Sequence, residues 1–533
     1  VVQEEAPADL LQEVVVAETP VQDKNQMFKY VIYLFIALSA GSIMAQNDLD
    51  AIRYSRTAVN GSSRFTAMGG AFGALGADLS CAANNPAGLA LFKRGEIAFG
   101  FGIKTTHNTG IANNASSSVD AAKFVYNNFG ISQSWTSMTD KDSRHIVAFT
   151  NTQIQNFNNS AMFSSYTNST SIAQDMLNAA GQTSPTQLNS SYEGLAFNVY
   201  VLDTFQNKYF SWVDLKKTVL QNRQIVTAGR VNELNFSYAY AYKDKYYIGG
   251  SIGIPRVTYT STTTHSESDN KDSMTVTVTS PTTFSTTYSS GLPGGYYPDK
   301  LGFNSLSYQE FFYTTGNGIN LKLGGVVRLN DQVRIGFHYH TATLYYNLRD
   351  TYYNTMTSTF DKDKNNVISA KNPPDGGYFD YKITTPSRAG ISSAFIIGKI
   401  CAIDVEYELI NYKKAQLSSS NASDFAGVNS VISHKYSYAS NVRAGVEFNV
   451  KPVMLRAGYN MQGSPFGNVF TGSFVRNTVS VGLGLRSKTD VYFDVVWLTS
   501  FSKEDYYMFT TINQRSQINY SYSQLGLTLG KKF

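Results

Sequence analysis

The sequence predicts an all-β chain, a transmembrane antiparallel β-barrel of about 14 strands with an N-terminal plug. Three observations carry this. Apolar side chains recur at every second position through segments of roughly ten residues, tight polar turns alternate with long connections, and the last residues keep one apolar parity up to a terminal aromatic.

The alternation is clearest in Thr478–Arg486, where Val479, Val481, Leu483 and Leu485 interleave with Thr478, Ser480, Gly482, Gly484 and Arg486. Val453, Leu455, Ala457 and Tyr459 alternate with Met454, Arg456, Gly458 and Asn460, and Val333, Ile335, Phe337 and Tyr339 with Arg334, Gly336, His338 and His340. Period two is a strand with one oily and one wet face. Candidate strands fall near 94–107, 120–139, 142–155, 226–243, 245–263, 316–330, 332–350, 378–397, 399–416, 434–450, 452–462, 474–488, 490–503 and 515–533. Every second connection is tight, as at Asp140–Asp142, Lys243–Lys245, Leu329–Gln332, Gly398–Lys399, Asn449–Pro452 and Ser487–Asp490. Those between are longer, notably 156–225, 264–315 and 351–377. This asymmetry marks an outer-membrane barrel with its long loops outside a Gram-negative cell.

At the C-terminus Leu525, Leu527, Leu529 and Phe533 share one parity, broken only by Lys531. Such an ending resembles the signal read by the outer-membrane barrel assembly machinery, an expected partner alongside outer-membrane lipid. In hydrocarbon an open sheet edge leaves backbone donors and acceptors unsatisfied, so the sheet must close.

Composition excludes other classes. Aromatics make up 14% of the 533 residues, with 36 Tyr and 33 Phe, while charged residues are only 16%. No run approaches the ~20 apolar residues that a bundle of membrane helices needs. The net charge of +5 is spread among isolated Lys and Arg, which gives no nucleic-acid surface. Cys81 and Cys401 are the two cysteines and lack metal-ligand spacing. Residues 27–45 read as a signal peptide, with Lys29 before a short apolar core and cleavage after Ala45, and 1–26 as an upstream segment outside the fold.

Residues 46–93 do not alternate. They carry Gly69-Gly70-Ala71-Phe72-Gly73, Asp78, Ser80 and Asn85-Pro86-Ala87-Gly88-Leu89, after which the barrel spans 94–533. The glycines lack the strand and spacing of a dinucleotide fingerprint. With the strand count, these motifs resemble the FadL/TodX family of outer-membrane channels for long-chain fatty acids and other hydrophobic compounds. The resemblance implies an N-terminal hatch, a kink in an early strand that opens a lateral exit, and passive uptake. The substrate would be captured at extracellular loops and admitted by hatch movement. It places Asn85, Pro86, Ala87 and Gly88 in the hatch or gate, and implies a monomer with a hydrophobic small-molecule substrate and no cofactor.

Candidate substrate contacts are the aromatic clusters Tyr296-Tyr297, Phe311-Phe312-Tyr313 and Tyr352-Tyr353, whose bland reading is the aromatic girdle of any barrel. Arg334, Arg388 and Arg443 share the inward parity with Arg456, Arg486 and the acidic row Asp404, Glu406 and Glu408. They read as a guide for an anionic headgroup or as lumen ion pairs. His338 and His340 suit haem or metal only weakly, so the alternative function is a receptor or adhesin barrel, haem-binding in one version, without transport. Asp361–Asn372 has partial calcium-loop spacing. No nucleophile elbow or zinc-protease motif is present, so catalytic residues and a resident metal are not expected.

Overall fold

The computed structural model describes residues 48–205, 208–214, 216–271, 274, 302–360, 367–450, 452–467 and 474–533. The signal peptide, the upstream segment, Tyr296, Tyr297 and the first half of the calcium-like loop lie outside these residues.

The wall begins with β1 (Glu96–Ala112), β2 (Ala115–Thr136), β3 (Ser143–Asn156) and β4 (Asn159–Thr167). A small hairpin, β5 (Leu202–Phe205) and β6 (Lys208–Ser211), stands apart from it. The wall resumes with β7 (Val219–Tyr242), β8 (Tyr246–Ser268), β9 (Phe303–Arg328), β10 (Val333–His340), β11 (Leu344–Phe360), β12 (Ile368–Thr384) and β13 (Arg388–Ile397). It ends with β14 (Cys401–Asn411), β15 (Gln416–Ser418), β16 (Tyr438–Val450), β17 (Val453–Gln462), β18 (Arg476–Arg486), β19 (Val491–Tyr507) and β20 (Arg515–Lys532). Among the described residues these form one 18-stranded antiparallel sheet. β3 and β4 both pair with β7, and β10 and β11 both with β9. β12 and β13 flank that second pair, and β14 and β15 follow them in turn. Each couple occupies one place in the wall, which leaves the fourteen places that the alternation predicts. β20 pairs back onto β1 from Glu96↔Lys532 to Ile111↔Gln517, so the sheet is closed.

The oily rows face out. Val479, Val481, Leu483 and Leu485 of β18 are exposed, as are Ile335, Phe337 and Tyr339 of β10, while Thr478, Ser480, His338 and His340 are buried. A soluble protein would not leave such a belt in water; hydrocarbon satisfies it. At the turn side, Lys243 and Asp244 both take positive φ in a two-residue hairpin whose twist matches the flanking strands.

At the opposite side the strands run further than the alternation indicates. β1 and β2 meet in a tight turn at Asn113-Asn114, both with positive φ, where the sequence suggests a loop over 108–119. β11 and β12 likewise continue through most of 351–377. Beyond the membrane the outward row turns polar, as in Thr105, His107 and Thr109, and the alternation disappears although the ladder continues. Part of 156–225 folds into helices Ile172–Ala180 and Glu193–Asn198 beside β4 and the start of β7.

Candidate functional site

The segment from Asp48 to Phe92 has no strand and is largely buried within the barrel. Its local folding follows from side-chain caps. Ser62 accepts from the Phe65 N–H at 3.0 Å to start the helix Ser63–Ala67, and its hydroxyl donates to Asp78 at 2.7 Å. Asp78 in turn accepts from the Ser80 N–H at 2.9 Å. Asn85 caps the 3-10 turn Pro86–Leu91 by accepting from the Ala87 N–H at 3.1 Å, and its amide donates to the Gly73 carbonyl at 2.6 Å. Pro86 suits the first position because its missing N–H would have no helical partner.

This motif sits on two wall glycines. A Cβ on Gly324 of β9 would come within 1.8 Å of Asn85 Oδ1, and one on Gly249 of β8 within 2.5 Å of the Pro86 backbone. Gly88 lies against Cys81, where a Cβ would approach Sγ to 2.8 Å. The Asn-Pro-Ala-Gly run is thus pressed into the barrel wall with no room for a side chain on either partner strand.

The inward arginines and acids hold the same segment. Arg334 donates to the Leu75 carbonyl at 3.0 Å, and Arg388 to Thr57 Oγ1 at 2.8 Å and the Ser55 carbonyl at 2.9 Å. Arg443 pairs with Glu406 and, at 2.9 Å, with Glu408. Glu406 accepts from the Gly73 N–H at 2.9 Å, and Asp404 from the N–H groups of Ala74 and Leu75 at 3.1 and 2.7 Å. Glu447 accepts from Arg64 of the hatch at 2.9 Å and from Arg456 at 2.6 Å; Arg456 also reaches Asp494 at 2.7 Å. His340 Nε2 lies 2.6 Å from the Asn84 carbonyl and His338 3.6 Å from Glu408, both buried under the hatch. Burying these charges is tolerable only because each acid is paired or hydrogen-bonded. Sequence reasoning found the wall partners by parity but could not assign their hatch partners, which lie hundreds of residues away.

Phe311, Phe312 and Tyr313 lie on β9 itself, beside Thr351–Tyr353 of β11, and not in a loop. Phe311 stacks on Tyr353 with centroids 4.7 Å apart, and Phe312 packs edge-on against Tyr259. Among the described residues no group of three or more metal-ligating side chains converges.

The wall is interrupted between β3 and β4. Pairing of β2 with β3 stops at Asn128↔Thr152; β3 then bulges between Gln153 and Gln155, and the chain breaks from the ladder before β4. β4 stays paired with β7 but moves inward against the lumen face of β1. Asn108 of β1 donates to the Ser160 carbonyl at 2.6 Å, Lys104 to the Asn158 carbonyl at 3.0 Å, and a Cβ on Gly110 would meet the Met162 carbonyl. Above Asn128, β2 therefore lacks a ladder partner on this side. The resulting seam begins level with Gly100, inside the outward apolar row Ile97, Phe99, Phe101 and Ile103. No sequence signal separated this break from an ordinary strand end; the polar run Asn156, Asn158 and Asn159 is the nearest one.

Behind the seam lies a cavity of about 300 Å³ between the helix Asp48–Ser55 and the wall. Its lining includes Gln153 and Asn156 at the seam, the tyrosines Tyr259, Tyr520 and Tyr522, and the cations Arg56, Lys104 and Arg476. Glu504 is the one acid in that lining among the described residues. Above it, an apolar cluster with Phe163, Ile172, Met176, Leu195 and Met356 roofs the lumen. Asp175 fastens this roof by accepting from the N–H groups of Thr510, Thr511 and Ile512 at 3.0, 2.6 and 3.1 Å, and from Tyr192. Burial alone would raise the Asp175 carboxyl, but the hydrogen bonds from Tyr192, Thr511 and Thr510 hold it below the ordinary carboxylate value.

No family model matches the chain, and no curated protein does. Solved structures do. A Pseudomonas aeruginosa FadL homologue is 12% identical, the match covers 90% of this chain and 100% of that one, and the TM-score is 0.51. The P. putida toluene transporter TodX is also 12% identical, with 89% and 99% covered and a TM-score of 0.50. At these identities the likeness is one of architecture: this chain has the plug-and-barrel fold of the FadL homologue and of TodX.

Proposed function

We propose that this chain is an outer-membrane channel for passive uptake of hydrophobic compounds such as long-chain fatty acids, and that the compound leaves sideways through the seam between β2 and β3. The observation that carries this reading is the seam itself, a ladder interruption inside the apolar belt with a cavity behind it. An unpaired edge facing hydrocarbon is costly, and a chain able to close the ladder would gain by doing so. Gaps of this kind persist where backbone irregularity serves a function.

A sideways route also suits the hatch contacts. Moving the hatch out of the lumen would separate Arg64 from Glu447 and the Ala74 and Leu75 N–H groups from Asp404, and stripping one partner from a buried pair costs about 3–5 kcal/mol. Leaving through the wall breaks none of these. The apolar roof suits a tail, and the excess of Arg56, Lys104 and Arg476 over Glu504 suits an anionic head.

The test is uptake of labelled oleate into liposomes holding the purified full chain. Ser117 Oγ donates to the Ser164 carbonyl across the seam at 3.4 Å, so Ser117→Cys with Ser164→Cys ties β2 to β4. Uptake should exceed that of empty liposomes, fall on oxidation of the double variant and return on reduction. Full uptake by the oxidised variant overturns the sideways route, and no uptake by the wild-type chain overturns the channel.

A further inference from the structure

Just above the apolar belt, the outward face of β7 to β12 changes character in two successive rows. The continuous aliphatic belt ends at Leu234, Ile254, Ile319 and Leu344, above which Tyr346 and Tyr378 are exposed among polar residues. The next row, set by ladder register, is Asn232, Arg256 and Asn317, whose backbone N–H donates to the Asn347 side chain. The row beyond is Arg230, Thr258, Thr315, Arg349 and Asp380. Lys382 stands beside it on β12.

Arg230, Arg256, Arg349 and Lys382 are all exposed on the outer face. Asp380 is the one acid in these rows, and it is taken by Arg349 through two bonds at 2.6 and 2.7 Å. Arg230 and Arg256 are diagonal neighbours across a β7–β8 ladder, a spacing of about 7–8 Å that two long side chains can close onto one anion. A guanidinium binds phosphate through paired N–H groups, and its weak hydration favours that contact at a membrane interface. Threonine and asparagine between them add neutral donors at the same height.

We propose that this two-row step binds the phosphate groups of a net-anionic phosphorylated lipid of the loop-side leaflet, with Arg230 and Arg256 gripping one phosphate while the acyl chains lie on the Leu234, Ile254 and Ile319 surface below. The inference rests on the membrane orientation adopted above, but on neither the seam nor the lumen. Charge complementarity and continuity with the apolar belt select the occupant: a lipid alone presents phosphate at the height where its tails begin.

The experiment is native mass spectrometry of the full chain released from detergent with bis-phosphorylated lipid A or phosphatidylcholine. Lipid A adducts should survive on the wild-type chain and be roughly tenfold weaker in the Arg230→Gln, Arg256→Gln double variant, since each basic side chain at an anionic interface contributes measurably. Lys503→Gln, an exposed cation of β19 on another sector, should leave them unchanged. Equal adducts on wild type and double variant, equal retention of phosphatidylcholine, or full displacement of lipid A by inorganic phosphate would each overturn the proposal. Heat-modifiable migration of the variants on gels reports folding separately. Oleate uptake by the wild-type chain tests the channel separately: adducts lost in the double variant support the lipid site whether or not the wild-type chain takes up oleate, and adducts retained there overturn it.

Discussion

The two ends of the lumen are both filled by an apolar cluster tied down by buried acids, and they differ in how they meet the wall. The hatch joins an apolar core around Phe65, Met68, Phe72 and Leu79 to a polar lock: Arg64, Glu447, Arg456 and Asp494 form one chain of ion pairs, Asp404 accepts two backbone N–H groups, and Gly249 and Gly324 seat Asn85 and Pro86. The roof packs Ile172, Met176, Leu195 and Met356 together and is fastened by two acids, Asp175 and the buried Glu267, which accepts from the Ile172 N–H at 2.7 Å. Ion pairs and close glycine contacts specify a single arrangement, whereas aliphatic packing tolerates rearrangement if volume is conserved.

Breaking the hatch lock gives the largest effect. Glu447→Ala leaves Arg64 and Arg456 without their shared acid and should cost about 3–5 kcal/mol, measured as a lower unfolding midpoint in detergent. A loss within experimental error would show that the hatch rests on its apolar core instead.

Asp175→Ala tests the roof and should cost about 2 kcal/mol, because several buried N–H groups lose a charged acceptor. The loss should be local, so protease cleavage between 170 and 200 should rise while the global midpoint moves little. The same bond predicts a pH effect of known sign. The Asp175 carboxyl is held below its ordinary value of 3.8, so its stabilisation is complete above that value and fades as pH falls through the lowered one. Cleavage of the wild-type roof should therefore increase only in acid below about pH 4. An Asp175→Ala variant whose cleavage shows the same acid dependence would assign the effect to another carboxyl.

The smallest effect sharpens the account of the outer aromatics. Phe311→Ala removes the stacked ring on Tyr353 and should cost about 1 kcal/mol with little change in oleate uptake. A strong loss of uptake would make Phe311 a substrate contact in place of a wall residue.

Much of the wall was legible because side chains in hydrocarbon and side chains in the lumen obey opposite rules, which writes period two into Val479–Leu485 and Val333–Tyr339. Legibility stopped where one of those rules stopped. Thr105, His107, Thr109, Ser116 and Ser118 face outward above the belt, so β1 and β2 were cut short at 107 and 120. The hatch was visible through Asn85-Pro86-Ala87 and its glycine lead. Its glycine seats in β8 and β9 were not, since an isolated glycine in a strand says only that something passes close by. The Lys104, Arg56 and Arg476 cavity was invisible for a different reason: its members come from β1, the hatch and β18, and only closure of the sheet brings them together.

The ladder that joins β20 to β1 also constrains the order of assembly. Its partners stand at opposite ends of the barrel sequence, and the Phe533 N–H donates to the Gly95 carbonyl at 3.0 Å, beside the point where the hatch leaves for the wall. Contacts of such separation form late, after the loop entropy between them has been spent. The hatch precedes the wall in the chain and touches strands from β2 to β20, so it is on hand as a former around which the sheet can be wound before the final ladder zips shut.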